Sequence, residues 1–392
     1  MTNVGIEALG LAVPDTYLEM TDLARARDVD PAKFLDGLGV QQMAVPAAHE
    51  DTVTLAARAA RMALEGVDRA EVGLCVVGTE TAVDHSKPVA SFLQGLLGLP
   101  SHCRVFETKH ACYGGTAGLM LALDWIRAGT HRGRKALVIC SDLARYGVGN
   151  PGEPTQGAGA VALLVSDTPK LVTLGDTTGT WSRDVMDFWR PLYRKDAVVD
   201  GHYSLTCYLE AVQNAYLAWQ VARGGVKPFT SDRFSALCYH VPFPKMAWKA
   251  HAALRGFDGD SNPEKSFDWQ VKSGLSLPRR VGNVYTGSLY LSLLSVLACD
   301  SRDLSGTVLG FFSYGSGSCA EFFTGHVVRG AQEHIHRLGL MSLLDARRRV
   351  TVAEYEQLQR ERHDERPVPE VEAQAPYGFL GVEQHRRVYA RS

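Results

Sequence analysis

Two stretches of this chain repeat one order of features, and an internal duplication constrains a fold more than any single motif does. In the first, the apolar run EVGLCVVGTE ends at Glu80 and a helix start rich in small residues follows at Cys112. A second run, RKALVICSD, then ends at Ser141-Asp142, and the glycine-bearing run GAGAVALLV comes next. In the second stretch, FSALCYH ends at His240 and a comparable helix start follows at Asn283. The run GTVLGFFSYG passes through Ser313-Tyr314, and GSGSCAEFFTG comes next. The unbroken apolar runs read as strands buried on both faces. They alternate with TLAARAARMALEGV, GTAGLMLALDWIRAG, LTCYLEAVQNAYLAWQVA and TGSLYLSLLSVLAC, whose apolar residues recur at helical spacing.

The expected class is therefore α/β, built from two repeated halves. We set these at residues 1–170 and 171–392, with 171–225 as a segment inserted between the copies. Asp51 or Thr52 is expected to cap the first long helix. The tail ERHDERPVPEVEAQAP reads as an exposed loop. Strand ends and helix N-termini are where α/β folds expose a crevice, so Glu80, Cys112, His240 and Asn283 are expected to converge.

Each of these residues has an ordinary reading beside the chemical one. Cys112, in TKHACYGGTAGL, lies where a positive helix end and backbone N–H groups would activate a thiol and hold an oxyanion. A lone cysteine at a helix start is as readily a packed thiol. Glu80 is either a solvated strand-end carboxylate or, facing a crevice, a general acid–base with a raised pKa. His240 is a structural histidine or a catalytic one. Asn283 is a helix cap or a substrate contact. Ser316 is a turn residue or the source of an N–H aimed at an acyl oxygen. Tyr146 packs or meets substrate.

The rest of the sequence narrows the function by exclusion. The net charge is −2 with both signs interspersed, so neither a nucleic-acid footprint nor a polybasic membrane patch is present. Eight scattered cysteines contain no CxxC pair, and reduced thiols are expected. The N-terminal MTNVGIEALGLAVPDTY has no basic leader, and no run approaches the ~20 apolar residues of a membrane span, so a cytoplasmic protein is expected. Gly147–Gly152 matches GxGxxG, but Pro151 and Pro154 follow where a helix should start, so no dinucleotide site is read there. His334 and His336 are two apart and would not share a helix face, so no metal site is expected.

The segments GTETAVDHSKP, DVMDFWRP, YHVPFPKM, GNVYTGSLYL and FFSYGSGS, together with KHACYGGTAGL, resemble motifs of the 3-hydroxy-3-methylglutaryl (HMG)-CoA synthase family in that family's order. The resemblance spans nearly the whole chain. It implies a thiolase-like fold of duplicated βαβαβ halves in five αβαβα layers, usually as a homodimer. It implies Cys112 as the acyl-carrying nucleophile, Glu80 as general acid–base and His240 beside the second substrate. Asn283 and Tyr146 correspond to substrate-side residues, and Ser316 and Cys112 to positions whose N–H groups form the oxyanion hole.

No bound cofactor is implied, only phosphopantetheine thioesters on coenzyme A or on acyl carrier proteins. The opening VGIEALGLAVPDTYLEMTDLARARDVDPAKF and DHSKPVASFLQGLLGLP resemble the β-branching enzymes of polyketide pathways, myxovirescin type. In contrast, GVQQMAVPAAHEDTVTLAA and DVMDFWRP also suit the coenzyme A branch. Lys245 and Lys249, four apart, would share a helix face able to meet a phosphate, or form an ordinary solvated pair. Donor and acceptor carrier proteins are the expected partners, and HMG-CoA synthesis from acetyl-CoA and acetoacetyl-CoA is the alternative. A relative that only binds acyl carriers is a third reading.

Overall fold

In the computed structural model, residues 3–224, 230–260, 262–361 and 376–390 are described, and most of the tail read above as an exposed loop lies outside them. Nine strands form one path: 236–239, 308–315, 319–327, 172–174, 5–12, 157–166, 135–144, 72–78 and 104–108. A tenth, Gly179–Ser182, pairs with 319–327 off this path.

The duplication is visible in the pairing. Strand Val72–Gly78 runs parallel to Lys135–Ala144, which is antiparallel to Gly157–Ser166, which is antiparallel to Gly5–Ala12. Strand Ala236–Tyr239 likewise runs parallel to Val308–Gly315, antiparallel next to Cys319–Val327, then antiparallel to Val172–Leu174. The two sets join where Gly5 and Ile6 pair with Thr173 and Val172.

Alternation along the strands sorts the side chains into layers. Leu74, Val76, Ala136 and Val138 face a central core, shared with helices Gly114–Arg127 and Ser288–Cys299 and with Cys238, Phe311 and Phe323 of the second set. Their neighbours Cys75, Val77, Leu137 and Ile139 face helices Thr52–Ala63 and Val89–Leu97. On the far side, Leu237, Tyr239, Phe312 and Phe322 pack against helices Gly201–Arg223 and Pro244–Phe257. The result is five layers, helix, sheet, helix, sheet, helix, as a thiolase-like fold requires. Every residue of Val72–Gly78 is buried, which is why that strand reads as an unbroken apolar run.

The cap falls on Asp51. Its Oδ1 accepts from Thr54 N at 2.9 Å, while Asp51 N donates to Thr54 Oγ1 at 2.7 Å. Within the segment read as inserted, 171–225, the described residues contribute to the fold itself: 172–174 is the strand joining the two sets, and Gly201–Arg223 covers the second set as Thr52–Ala63 covers the first. A three-residue strand is too short to show a period, so the sequence concealed its place.

Candidate active site

The strand Val72–Gly78 ends against the start of helix Gly114–Arg127. A methyl group on Gly78 would lie 2.4 Å from the Gly115 Cα, and one on Gly115 would lie 2.4 Å from Cys140 Sγ, so both positions require glycine for this close approach. The chain enters the helix through Ala111 at φ +40°, with Cys112 and Tyr113 as the last residues before it. This geometry brings Cys112 Sγ within 3.1 Å of Glu80 Oε1.

The contact has electrostatic consequences. Burial, reinforced by the nearby Asp142, pushes the Glu80 carboxyl up to about 8, against the lowering influence of Cys112 and Arg190. Burial and the Glu80 charge also push the Cys112 thiol well above its ordinary value. Both shifts favour the protonated forms, so near neutral pH each group keeps its own proton, with the Cys112 thiol directed at the Glu80 carboxyl. Around Cys112 stand Tyr146, Tyr285 and Phe188, with ring centroids 5.9–6.5 Å apart in edge-to-face contacts. They make an aromatic wall on this side of the thiol.

Glu80 is held by a residue that the sequence did not mark as functional. Asp142 is fully buried and accepts from Glu80 N at 2.9 Å, Thr79 Oγ1 at 2.8 Å, and Thr81 N and Oγ1 at 3.1 and 2.7 Å. From the second half, Thr286 donates to it through both N and Oγ1, and Thr286 Oγ1 also reaches the Gly78 carbonyl at 3.0 Å. Burial raises the Asp142 pKa, and these hydrogen bonds oppose that rise.

A second buried aspartate, Asp187 of DVMDFWRP, accepts from Tyr314 Oη at 2.7 Å, Gly317 N at 2.9 Å and Ser204 Oγ at 3.3 Å. It pins both flanks of Ser316. Gly315, just before Ser316, is packed so closely that a methyl group there would fall 2.5 Å from the His110 carbonyl. The turn bearing Ser316 is thus seated on the loop bearing Cys112.

His240 directly follows Ala236–Tyr239, and Glu80 follows the corresponding strand Val72–Gly78 by two residues, so the duplication gives them equivalent places. His240 N donates to the Phe312 carbonyl and Tyr208 Oη donates to the His240 carbonyl, both at 2.7 Å. Burial lowers the imidazole to about 3, so it is neutral at physiological pH. Asn283 is buried, and its Oδ1 accepts from Tyr285 N at 2.9 Å and Ser288 Oγ at 3.0 Å. It therefore shapes the turn into helix Ser288–Cys299, as a capping residue would. Lys245 is exposed and Lys249 half-buried on helix Pro244–Phe257, four residues after His240. Neither lysine forms an ion pair among the described residues.

A cavity of about 470 Å³ opens beside Glu80 and Thr81 and reaches Asp51, Thr52, Arg145 and Arg190. Asp187 and Arg190 lie within the motif DVMDFWRP, but no role for either is read from it. For Asp142 the available signal is that it ends an apolar run in the first half where Tyr314 nears the end of its counterpart.

Comparison with known proteins identifies the family. Profiles described as hydroxymethylglutaryl-coenzyme A synthase N terminal and C terminal match residues 1–170 and residues 172–268 and 261–376. The hydroxymethylglutaryl-CoA synthase of Enterococcus faecalis is 39% identical over 386 residues, 98% of this chain and 99% of that protein. Among solved structures, MvaS in complex with 3-hydroxy-3-methylglutaryl coenzyme A superposes with a TM-score of 0.93 at 47% identity over 100% of both chains. The curacin-pathway HMG synthase in complex with acetyl donor-ACP superposes with a TM-score of 0.93 at 32% identity, covering 99% of this chain and 100% of that one. This chain belongs to the HMG-CoA synthase family of acyl-transferring condensing enzymes.

Proposed function

We propose that the chain adds a Cys112-bound acetyl or short acyl group, as its enolate, to the β-carbonyl of a 3-ketoacyl thioester. The 3.1 Å contact between Cys112 and Glu80 at a glycine-rich helix start carries this reading. Cys112 sulfur attacks the donor thioester carbon, and its proton ends on the departing thiol. Glu80 then removes a proton from the acyl α-carbon while the N–H groups of Cys112 and Ser316 hold the enolate oxygen. The enolate carbon bonds to the ketone carbon of the second substrate. Neutral His240 donates a hydrogen bond to the developing alkoxide, and a proton equivalent to the one Glu80 took from the α-carbon ends on the alkoxide oxygen, which returns Glu80 to its carboxylate form. Water finally cleaves the thioester to Cys112 and frees a carboxymethyl branch. We assign Asn283 and Tyr146 to substrate contacts and Lys245 with Lys249 to a substrate phosphate.

For the carriers, we take donor and acceptor acyl carrier proteins in polyketide β-branching as the leading reading. It is supported by the N-terminal resemblance and by the donor-ACP complex of the curacin enzyme. Synthesis of HMG-CoA from acetyl-CoA and acetoacetyl-CoA is the second reading, favoured by the higher identity to MvaS and to the Enterococcus protein. Purified enzyme offered both acetyl-CoA with acetoacetyl-CoA and the same acyl groups on carrier proteins decides between them. Efficient turnover, read by product mass, with coenzyme A thioesters alone would sink the first reading. Failure of Cys112 to take any covalent acetyl would instead favour a carrier-binding relative without activity.

The matched strand orders support residues 1–170 and 171–392 as the duplicated units. We further propose a homodimer, as the family resemblance implies. A cytoplasmic location is proposed too, supported by the eight free cysteines and by the absence, among the described residues, of any helix long and apolar enough to cross a membrane.

A further inference from the structure

The described chain ends in a hairpin of strands Phe379–Glu383 and Arg386–Tyr389, which lies against the first half. Arg387 Nη2 and Tyr389 Oη both donate to Asp51 Oδ2 at 2.8 Å. Phe379 N donates to the His49 carbonyl at 2.9 Å, and the Tyr389 ring meets Phe92 with centroids 5.6 Å apart. The ion pair is largely buried, with side-chain exposures of 10% for Arg387 and 11% for Asp51, and the guanidinium sits 4.1 Å over the Phe379 ring. Removing one member of such a pair leaves a charge uncompensated away from water.

Asp51 is also the cap of helix Thr52–Ala63, so the hairpin bears directly on the residue that starts this helix. The next residue, Thr52, donates from Oγ1 to the Thr81 carbonyl at 2.7 Å, and its own carbonyl accepts from Ser141 Oγ at 2.7 Å. Thr81 and Ser141 each adjoin one end of the clamp already described, because Thr81 follows Glu80 and Ser141 precedes Asp142. Asp51, Thr52, Glu80 and Thr81 line the same cavity. Asp142 therefore fixes the Glu80 backbone from within, and Thr52 fixes the following residue from the helix side.

We infer that Arg387 is a positioning residue for Glu80, acting through the Asp51 cap and the Thr52–Thr81 hydrogen bond, and that the C-terminal hairpin belongs to the condensing machinery. The inference rests on the assignment of Glu80 as the base above. Proton removal from carbon is sensitive to displacement of the base by a fraction of an ångström to an ångström. In the reaction proposed above, attack by Cys112 on the donor thioester sends the thiol proton to the departing thiol, so this step should tolerate the same displacement of Glu80 better than proton removal from carbon does.

The test compares Arg387→Met, Arg387→Lys and Glu80→Ala in the full chain. Acetylation of Cys112 is read by intact mass with an acetyl thioester donor. Condensation is read in a single turnover from preformed acetyl-enzyme. Arg387→Met should acetylate within about twofold of wild type while condensation falls about tenfold, and Arg387→Lys should recover most of that loss. Tyr389→Phe, which keeps the ion pair but loses the hydroxyl that donates to Asp51 and accepts from Arg387 Nε, should lower condensation by about threefold and serves where Arg387→Met does not fold. Wild-type condensation in the folded variants would overturn the inference, as would an equal loss of both steps that Arg387→Lys fails to rescue. Condensation at the wild-type rate in Glu80→Ala would instead remove the assignment of Glu80, so the two failures are distinguishable.

Discussion

Glu80 occupies a place where ionisation is costly. Burial first, then repulsion from Asp142, pushes its carboxyl from an ordinary 4.5 up to about 8. In the unfolded chain the group releases its proton near the ordinary value. Between about pH 4.5 and 8 the folded protein therefore binds more protons at this site than the unfolded chain, and stability falls as pH rises through that window. Glu80→Gln removes this dependence. The melting temperature of the wild type should decline relative to that of Glu80→Gln between pH 5 and pH 8, and parallel curves across that range would contradict the assigned environment. The same substitution should lower condensation by about 10²–10⁴-fold, since a positioned base contributes on that order. His240 titrates in the opposite sense. Lowered to about 3 by burial, it remains neutral through the working range and acts as a hydrogen-bond donor without a full charge.

At the scale of elements, the site depends on how closely strand Val72–Gly78 and helix Gly114–Arg127 approach. A methyl group on Gly115 would meet Cys140 Sγ at 2.4 Å and the Thr286 carbonyl at 2.9 Å, and neither neighbour is the far end of a flexible side chain. Gly115→Ala should destabilise the protein by about 1–3 kcal/mol and slow Cys112 acetylation as the helix start shifts. Gly95, on helix Val89–Leu97, has no atom within 4 Å of an added methyl. Gly95→Ala should be neutral or stabilise by up to about 1 kcal/mol. Thermal melts in which the two variants behave alike would refute the packing argument. The comparison also shows what the sequence could and could not reveal. Cys112 and Glu80 drew notice in the sequence because the one precedes a helix of strong period and the other follows an unbroken apolar strand. Asp142 did not, because a strand-end aspartate looks solvated until Thr286, 144 residues away, is seen to donate to it. The part Asp187 plays was hidden in the same way, since its partners Tyr314 and Gly317 lie 127 and 130 residues further along the chain.

At the scale of the molecule, the function proposed above gives each half a different task at an equivalent place. On that proposal the first half contributes Cys112 as nucleophile beside Glu80, a carboxylate with a raised pKa, and the second contributes the neutral imidazole of His240 followed closely by helix Pro244–Phe257 with its two lysines. That division assigns acyl chemistry to one half and carrier recognition largely to the other, and it can be tested without knowing the natural carrier. Lys245→Ala/Lys249→Ala should raise KM for acetyl-CoA by about tenfold with kcat unchanged, the pattern left by lost uniform binding. The effect should shrink at high ionic strength, because an exposed lysine meeting a phosphate is screened by salt. Acetyl-N-acetylcysteamine carries the reacting thioester without any phosphate, so the double variant should use it as well as the wild type does. An equal loss on both donors would show that the lysines act on the site's structure and not on a phosphate, and the assignment of carrier recognition to this helix would then be lost.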